Sequence, residues 1–188
     1  MLSNIHGRRN VSARRLASPG PSRAQLAELL RLAAAAPDHG QTTPWRFLLI
    51  PAAGRQHLAQ AFALAVLERS PGATQEQLEA AREKAYRAPC LLVAIACHGG
   101  ASAAMSQAEG MISMGAAIQN MLLGARAMGY GSSLASGQSM NAEALRRLFQ
   151  LSEQEAAVCF VNLGTAASLK AGLALRPDID KFFSVLKT

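Results

Sequence analysis

The sequence predicts a layered α+β domain, with helices packed on a central sheet. Two uncharged apolar runs of strand length, CLLVAIAC at 90–97 and AAVCFVNLG at 156–164, read as buried strands. Three Ser/Thr-x-x-Gln/Glu boxes, Ser22 with Gln25, Thr74 with Gln77 and Ser106 with Glu109, each open a helical stretch. The resulting order along the chain is α, β, α, α, β, α, β, α, β.

The first box starts SRAQLAELLRLAAAA, a strong helix that stops before Pro37. The polar loop PDHGQTTP then leads into Trp45–Ile50, a short apolar strand. Residues 53–69 and 74–86 form two amphipathic helices broken by Pro71 and Gly72, and the strand at 90–97 follows. The third box opens a long helix to about Met128, rich in small residues such as Gly110, Gly115, Ala116, Ala117, Gly124 and Ala125. Its apolar residues run nearly all the way round, which marks a core or interface helix. Its polar pair Gln119-Asn120 requires partners if buried. Gly129-Tyr130-Gly131 turns into a strand-like piece ending at Ser136-Gly137. Asn141 is expected to cap a helix to Phe149, and the strand at 156–164 closes the core. From Ala166 to Thr188 the periodicity is weak.

With 188 residues the chain fits one domain, 1–188, at roughly 100–200 residues per domain. Half its residues are apolar, so it builds a core without disulfide staples. The net charge of +7 is concentrated at the start, where Arg8, Arg9, Arg14, Arg15 and Arg23 precede the first acid, Glu28. The three cysteines, Cys90, Cys97 and Cys159, lie in apolar runs without redox or metal spacing and read as buried reduced thiols. The start MLSNIHGRRN lacks the apolar stretch of a secretory signal, and the run 88–108 is interrupted by His98, Gly99, Gly100 and serines, so no membrane span is expected. A cytoplasmic protein is the expectation; an Arg-rich organelle transit peptide is the lesser reading of that start.

Several chemistries fall away. Gly129-Tyr130-Gly131 follows a helix rather than a strand and lacks the third glycine of a dinucleotide fingerprint. No P-loop and no GxSxG motif is present, and the four histidines, His6, His39, His57 and His98, form no metal pair. Three features remain. The arginines at 8, 9, 14 and 15 form either a phosphate clamp or a solvated or nucleic-acid-seeking arm. The loop Pro37–Trp45 is either a binding loop or an ordinary helix stop. The small residues Gly131–Gly137 let a flat ligand approach the backbone, or make a plain turn. No acid–base constellation accompanies them, which suits chemistry carried by a bound cofactor.

Taken in order, these segments resemble the nitroreductase family of FMN-dependent oxidoreductases, from residue 5 to about 168. Arg8-Arg9-Asn10 is similar to the family's Arg-Arg-Ser opening. Ala36-Pro37-Asp38-His39, running on to Pro44-Trp45, matches the Ala-Pro-Asp-His form of the short-chain branch. Gln119-Asn120-Met121-Leu122-Leu123 with Gly129-Tyr130-Gly131 resembles the family's central helix, and Leu163-Gly164-Thr165 its closing strand.

The resemblance implies a central mixed sheet flanked by helices, in an intertwined homodimer with FMN at the subunit interface. It implies NAD(P)H as reductant and ping-pong transfer of hydride through flavin N5 to nitro, quinone or similar planar acceptors, with no catalytic side chain assigned. It places Arg8, Arg9 and Asn10 on the FMN phosphate and ribityl chain, and His39 and Gln41 at the flavin edge, contributed by the partner subunit. It places Leu134, Ala135 and Ser136 along the ring or ribityl, Arg176 on the phosphate, and Gly124–Gly129 near the nicotinamide cofactor.

The chain departs from the pattern in three places. Asn10 stands for Ser, and a gapless register sets Asn10-Val11-Ser12 against the motif with Ser12 as anchor. Ala35 replaces a basic residue, and Leu134-Ala135 replaces a Trp-Arg pair. Each lost cationic contact is worth about 1.5–3 kcal/mol, to be recovered from Arg14, Arg15 or Arg176. A flavin-less ligand-binding or regulatory dimer of the same fold is the alternative these departures support. A near-neutral body and few aromatics weigh against a nucleic-acid partner.

Overall fold

The computed structural model describes residues 1–97, 106–167 and 176–186. His98, Gly99 and Gly100 lie outside them, as do residues 168–175. The elements are α1 (Leu2–Gly7), β1 (Leu16–Ala17), α2 (Arg23–Ala34), β2 (Trp45–Leu49), α3 (Arg55–Arg69), α4 (Gln75–Arg82), β3 (Cys90–Cys97), α5 (Gln107–Ala127), β4 (Gly131–Ala135), α6 (Glu143–Leu148) and β5 (Glu155–Ala166). From α2 onward this is the order read from the sequence. All three capping boxes form, each Ser or Thr hydroxyl accepting from the backbone N–H three residues on.

The sheet runs β2-β3-β5-β4, and β1 joins the C-terminal end of β5. The strand ladders are antiparallel, and a single parallel bridge joins Asn10 to Ser132. β3 is buried on both faces, which is why its sequence carries no alternation. Its odd residues Leu91, Val93 and Ile95 pack under α3, α4 and α6, and its even residues Leu92, Ala94 and Ala96 pack under α2 and α5. Helices therefore cover both faces.

One irregularity decides which β5 residues face which layer. The β3–β5 register runs Ala94↔Cys159 and then Ile95↔Ala157, leaving Val158 as an extra residue. A bulge of this kind reverses the inside–outside phase of a strand. Glu155, Ala157, Phe160 and Asn162 thereby all oppose odd β3 residues, on the α3 side, although 155 and 160 are an odd number apart.

Small residues let α5 approach α2. A methyl at Gly124 would collide with Leu32 and lie 3.0 Å from Leu29 Cδ2. The Asn120 side chain donates to Leu32 O at 3.1 Å, giving the half-buried polar residue its partner. Gly129, at φ +86°, ends the helix in the left-handed conformation a C-terminal cap favours, and Tyr130 N–H returns to Ala125 O at 2.8 Å. Gly124–Gly129 is thus the packed last turn of α5 and its cap.

Asn141 does not cap α6. It belongs to a 3-10 turn, Gln138–Asn141, and the helix begins two residues later without a side-chain cap of its own. Glu68, near the end of α3, takes that role: its carboxylate accepts from Glu143 N–H and Ala144 N–H, both at 3.1 Å. An acid at a helix N-terminus suits both the orphan donors and the dipole.

Candidate functional site

The N-terminal segment runs beside β4, where Val11 N–H donates to Ser132 O at 2.9 Å. This contact brings Asn10, Ser12 and Arg14 against Ser133, Leu134 and Ala135, around a cavity of about 210 Å³ that Arg87 also lines. A second cavity, about 250 Å³, lies between the sheet and the α3–α4 layer. Phe160, Asn162 and Leu91 line it from the sheet side, while Arg69, Lys84 and Arg87 supply cations and Ala135–Met140 closes one edge. Ala13, Arg87 and Ala135 line both.

The electrostatics of the pair are one-sided. Among the described residues no acid lines either cavity. Partial burial pushes the Arg87 guanidinium below its ordinary pKa, and the neighbouring Arg14 charge pushes it the same way, with Glu83 opposing. Asn162 is buried, and its amide donates to Ser133 O over a long 3.4 Å. The surface is cationic and hydrogen-bonding, suited to an anionic, acceptor-rich ligand.

The loop before β2 is held in a strained shape. Gln41 and Thr43 have φ of 54° and 47°, an uncommon region for residues other than glycine and most costly for β-branched Thr43. The Asp38 carboxylate offsets that cost by accepting from Thr43 N–H at 2.6 Å and Thr42 Oγ1 at 3.1 Å. Downstream, Trp45 Nε1 donates to Ser113 Oγ at 3.0 Å in the core and pins the start of β2 to α5. The exposed His39 ring has Nδ1 3.4 Å from Glu109 Oε1, at the first turn of α5.

Of the residues expected from sequence, Asn10, Leu134 and Ala135 meet at the smaller cavity, and Ala135 and Ser136 continue into the larger. Ser12 lines the same cavity as Asn10. Arg8 and Arg176 come together outside the cavities, with Arg176 Nη2 donating to Arg8 O at 2.9 Å, and half-buried Arg9 follows them. His39 and Gln41 line neither cavity. Sequence reasoning missed Arg69, Lys84 and Arg87, which look like the solvated face of two amphipathic helices. The available signal was the Lys84-x-x-Arg87 spacing, which puts both cations on one side of a helical turn just before a buried strand.

A second polar cluster pins the far end of the sheet. Arg46 grips Glu155 with Nε to Oε1 at 2.6 Å and Nη2 to Oε2 at 3.2 Å, and Ser152 N–H donates to the same carboxylate. The Arg46 bonds chiefly hold the Glu155 carboxyl down to about 2, from 4.5. A folded-state value below the unfolded one adds stability above pH 4.5 that disappears as the pH falls toward 2. Arg46 is 38% exposed, so water screens the pair. Glu155→Gln is therefore expected to cost about 1–2 kcal/mol at pH 7 in urea denaturation, with the difference closing between pH 4.5 and 2. A pH-independent difference would refute this account. Burial also pushes the Cys159 thiol up to about 11 and raises Cys90 and Cys97, which leaves little thiolate at neutral pH.

A sheet covered on both faces by helices, with a cationic cavity at the end of β4, is the frame of a known class. The profile of the Nitroreductase family matches residues 5–165, and the chain belongs to that family. It is 34% identical over 176 residues to "Putative NAD(P)H nitroreductase YdjA" of Escherichia coli K12, covering 91% of this chain and 92% of that protein. It is 32% identical over 154 residues to "Putative NAD(P)H nitroreductase" of Haemophilus influenzae, covering 82% and 83%. The fold matches the crystal structure of a nitroreductase-like family protein from Bacillus cereus, with a TM-score of 0.83 at 21% identity over 100% of this chain and 96% of the other. It also matches the FMN-dependent nitroreductase NfnB of Mycobacterium smegmatis, solved in complex with NADPH, with a TM-score of 0.73 at 20% identity over 99% and 97%. The chain has the fold and family of an oxidoreductase. No helix among the described residues is long and apolar enough to cross a membrane.

Proposed function

We propose that the chain is an FMN-dependent NAD(P)H oxidoreductase of the nitroreductase type that works as a homodimer. The observation that carries this reading is the convergence of Arg14, from the N-terminal segment, with Lys84 and Arg87, from the stretch before β3, on adjoining cavities that no described acid lines. Like charges brought together at a partly buried site call for an anionic ligand, and FMN carries both a phosphate and an acceptor-rich ring edge. The residues present fit that group despite the altered Arg-Arg-Ser motif.

The chemistry supplied by the bound group is two-electron transfer, from NAD(P)H in one half-reaction and to a nitro compound, quinone or similar planar acceptor in the other. The chain's own residues bind and orient. Ser12 and Asn10 would offer hydrogen bonds to the ribityl chain, Leu134, Ala135 and Ser136 would offer backbone groups beside it, and Arg14, Lys84 and Arg87 would supply positive charge to the bound anion. Arg8, Arg9 and Arg176 take the phosphate, a role supported by the Arg176–Arg8 contact. His39 and Gln41 of the partner subunit complete the ring edge. Solvent or a hydroxyl of the bound flavin would supply the proton, and no side chain is given that role.

Two exposed apolar surfaces support a dimer. Met111 and Ile112 project from α5, with Ala108 and Gly115 exposed on the same helix, and Phe182, Phe183, Val185 and Leu186 project from the C-terminal segment. Large apolar side chains exposed together on one helix and on one segment suit an interaction site.

The test is the visible spectrum of the purified protein before and after adding FMN and NADPH anaerobically, with sedimentation to give the mass. A yellow dimer holding about one FMN per subunit, bleached by NADPH, is the expected result. A colourless protein that retains no added FMN refutes the reading and leaves the flavin-less binding dimer.

A further inference from the structure

Arg55, the first residue of α3, is only 7% exposed. Its position is unfavourable twice over: a cation at a helix N-terminus opposes the dipole, and burial strips its hydration. Desolvation accordingly lowers its pKa. Among the described residues no carboxylate pairs with it. Its partners are two backbone carbonyls, Ala85 O at 2.7 Å from Nη1 and Pro89 O at 3.4 Å from Nη2.

Those carbonyls bracket one short stretch of chain. Glu83–Tyr86 is a 3-10 turn, and Arg87, Ala88 and Pro89 lead from it into β3. Ala85 follows Lys84, and Pro89 lies two residues beyond Arg87. A guanidinium suits the task, because its fork reaches two acceptors at once from a single stem. An ammonium is a single point charge, and an apolar residue would leave the buried Ala85 carbonyl without its partner.

We infer that Arg55 is a positioning residue, whose guanidinium clamps the Ala85 and Pro89 carbonyls and thereby presents Lys84 and Arg87 to the cavity. The ligand those cations hold rests on the FMN reading above, whereas the clamp itself does not.

The experiment uses the full chain and four variants: Arg55→Met, Arg55→Lys, Arg87→Ala and the double variant Arg55→Met with Arg87→Ala. Hydrogen exchange over residues 83–90 reads the clamp directly, and FMN titration reads its consequence. In Arg55→Met, amides of this stretch are expected to exchange about tenfold faster while those of β5 keep wild-type protection. Its Kd for FMN rises about tenfold, and the same substitution made on top of Arg87→Ala adds less than that full factor, since part of its effect acts through Arg87 and only the remainder through Lys84. Arg55→Lys falls between Arg55→Met and wild type and carries the test if Arg55→Met does not fold. Faster exchange spread evenly over the sheet, or a full additional loss on top of Arg87→Ala, overturns the inference in favour of general stability. If the wild-type protein binds no FMN, the functional reading fails and the exchange result alone decides the clamp.

Discussion

Arg87→Ala raises the Kd for FMN about ten- to a hundredfold, the size of one lost charge-assisted contact at about 1.5–3 kcal/mol. The expectation rests on position: Arg87 lines both cavities, is partly desolvated and faces Arg14. The same substitution removes repulsion between those two arginines, so the FMN-free protein melts no lower than wild type. Opposite signs, weaker binding and undiminished stability, separate a ligand contact from a structural one. Arg87→Lys restores the charge without the fork and recovers part of the affinity. Fluorescence titration and thermal melts with and without FMN provide the check; unchanged affinity with a lowered melting point would count against the assignment.

Phe160→Ala costs about 3–5 kcal/mol, a large share of the roughly 5–15 kcal/mol that holds a domain together. The ring is 5% exposed and meets Phe62 edge-on at 5.5 Å and Phe149 at 6.2 Å, so it joins β5 to both α3 and α6. Because it also lines the larger cavity, truncation removes aromatic contacts and enlarges a void together. Urea denaturation of the FMN-free protein measures the loss. A cost below about 1 kcal/mol would mean that the neighbouring rings collapse into the space.

The parts of the fold that were legible are those whose cause is local. Each capping box closes within four residues, and β3 announces itself by eight apolar positions with no charge. The parts that were not legible depend on distant partners. β1 is two residues long and exists only through pairing with Thr165 and Ala166, while α1 buries nothing that periodicity would reveal. The expected cap at Asn141 failed because Glu68, far back in the chain, reaches the α6 amides. At the candidate site, the small residues after Gly131 could be read from composition, whereas Asn10 and Ser12 were reached only through the family resemblance. Lys84 and Arg87 could not be read either way, since only the folding of the 83–89 stretch against α3 and the sheet turns a polar turn into a cavity rim.

The extra residue at Val158 fixes a counting rule for this chain. β5 keeps time in two phases, one set by the Arg46–Glu155 pair and the other by Phe160 and Asn162 beneath the cavity. No substitution at Val158 changes that count, but a deletion does. A chain without Val158 sets Glu155 and Phe160 four residues apart, and an unbulged strand then keeps both the ion pair and the cavity floor on the α3 face; at the present spacing only the bulge does so. Across related chains, a one-residue difference in length between 155 and 160 is therefore matched by the presence or absence of the bulge wherever both features are kept.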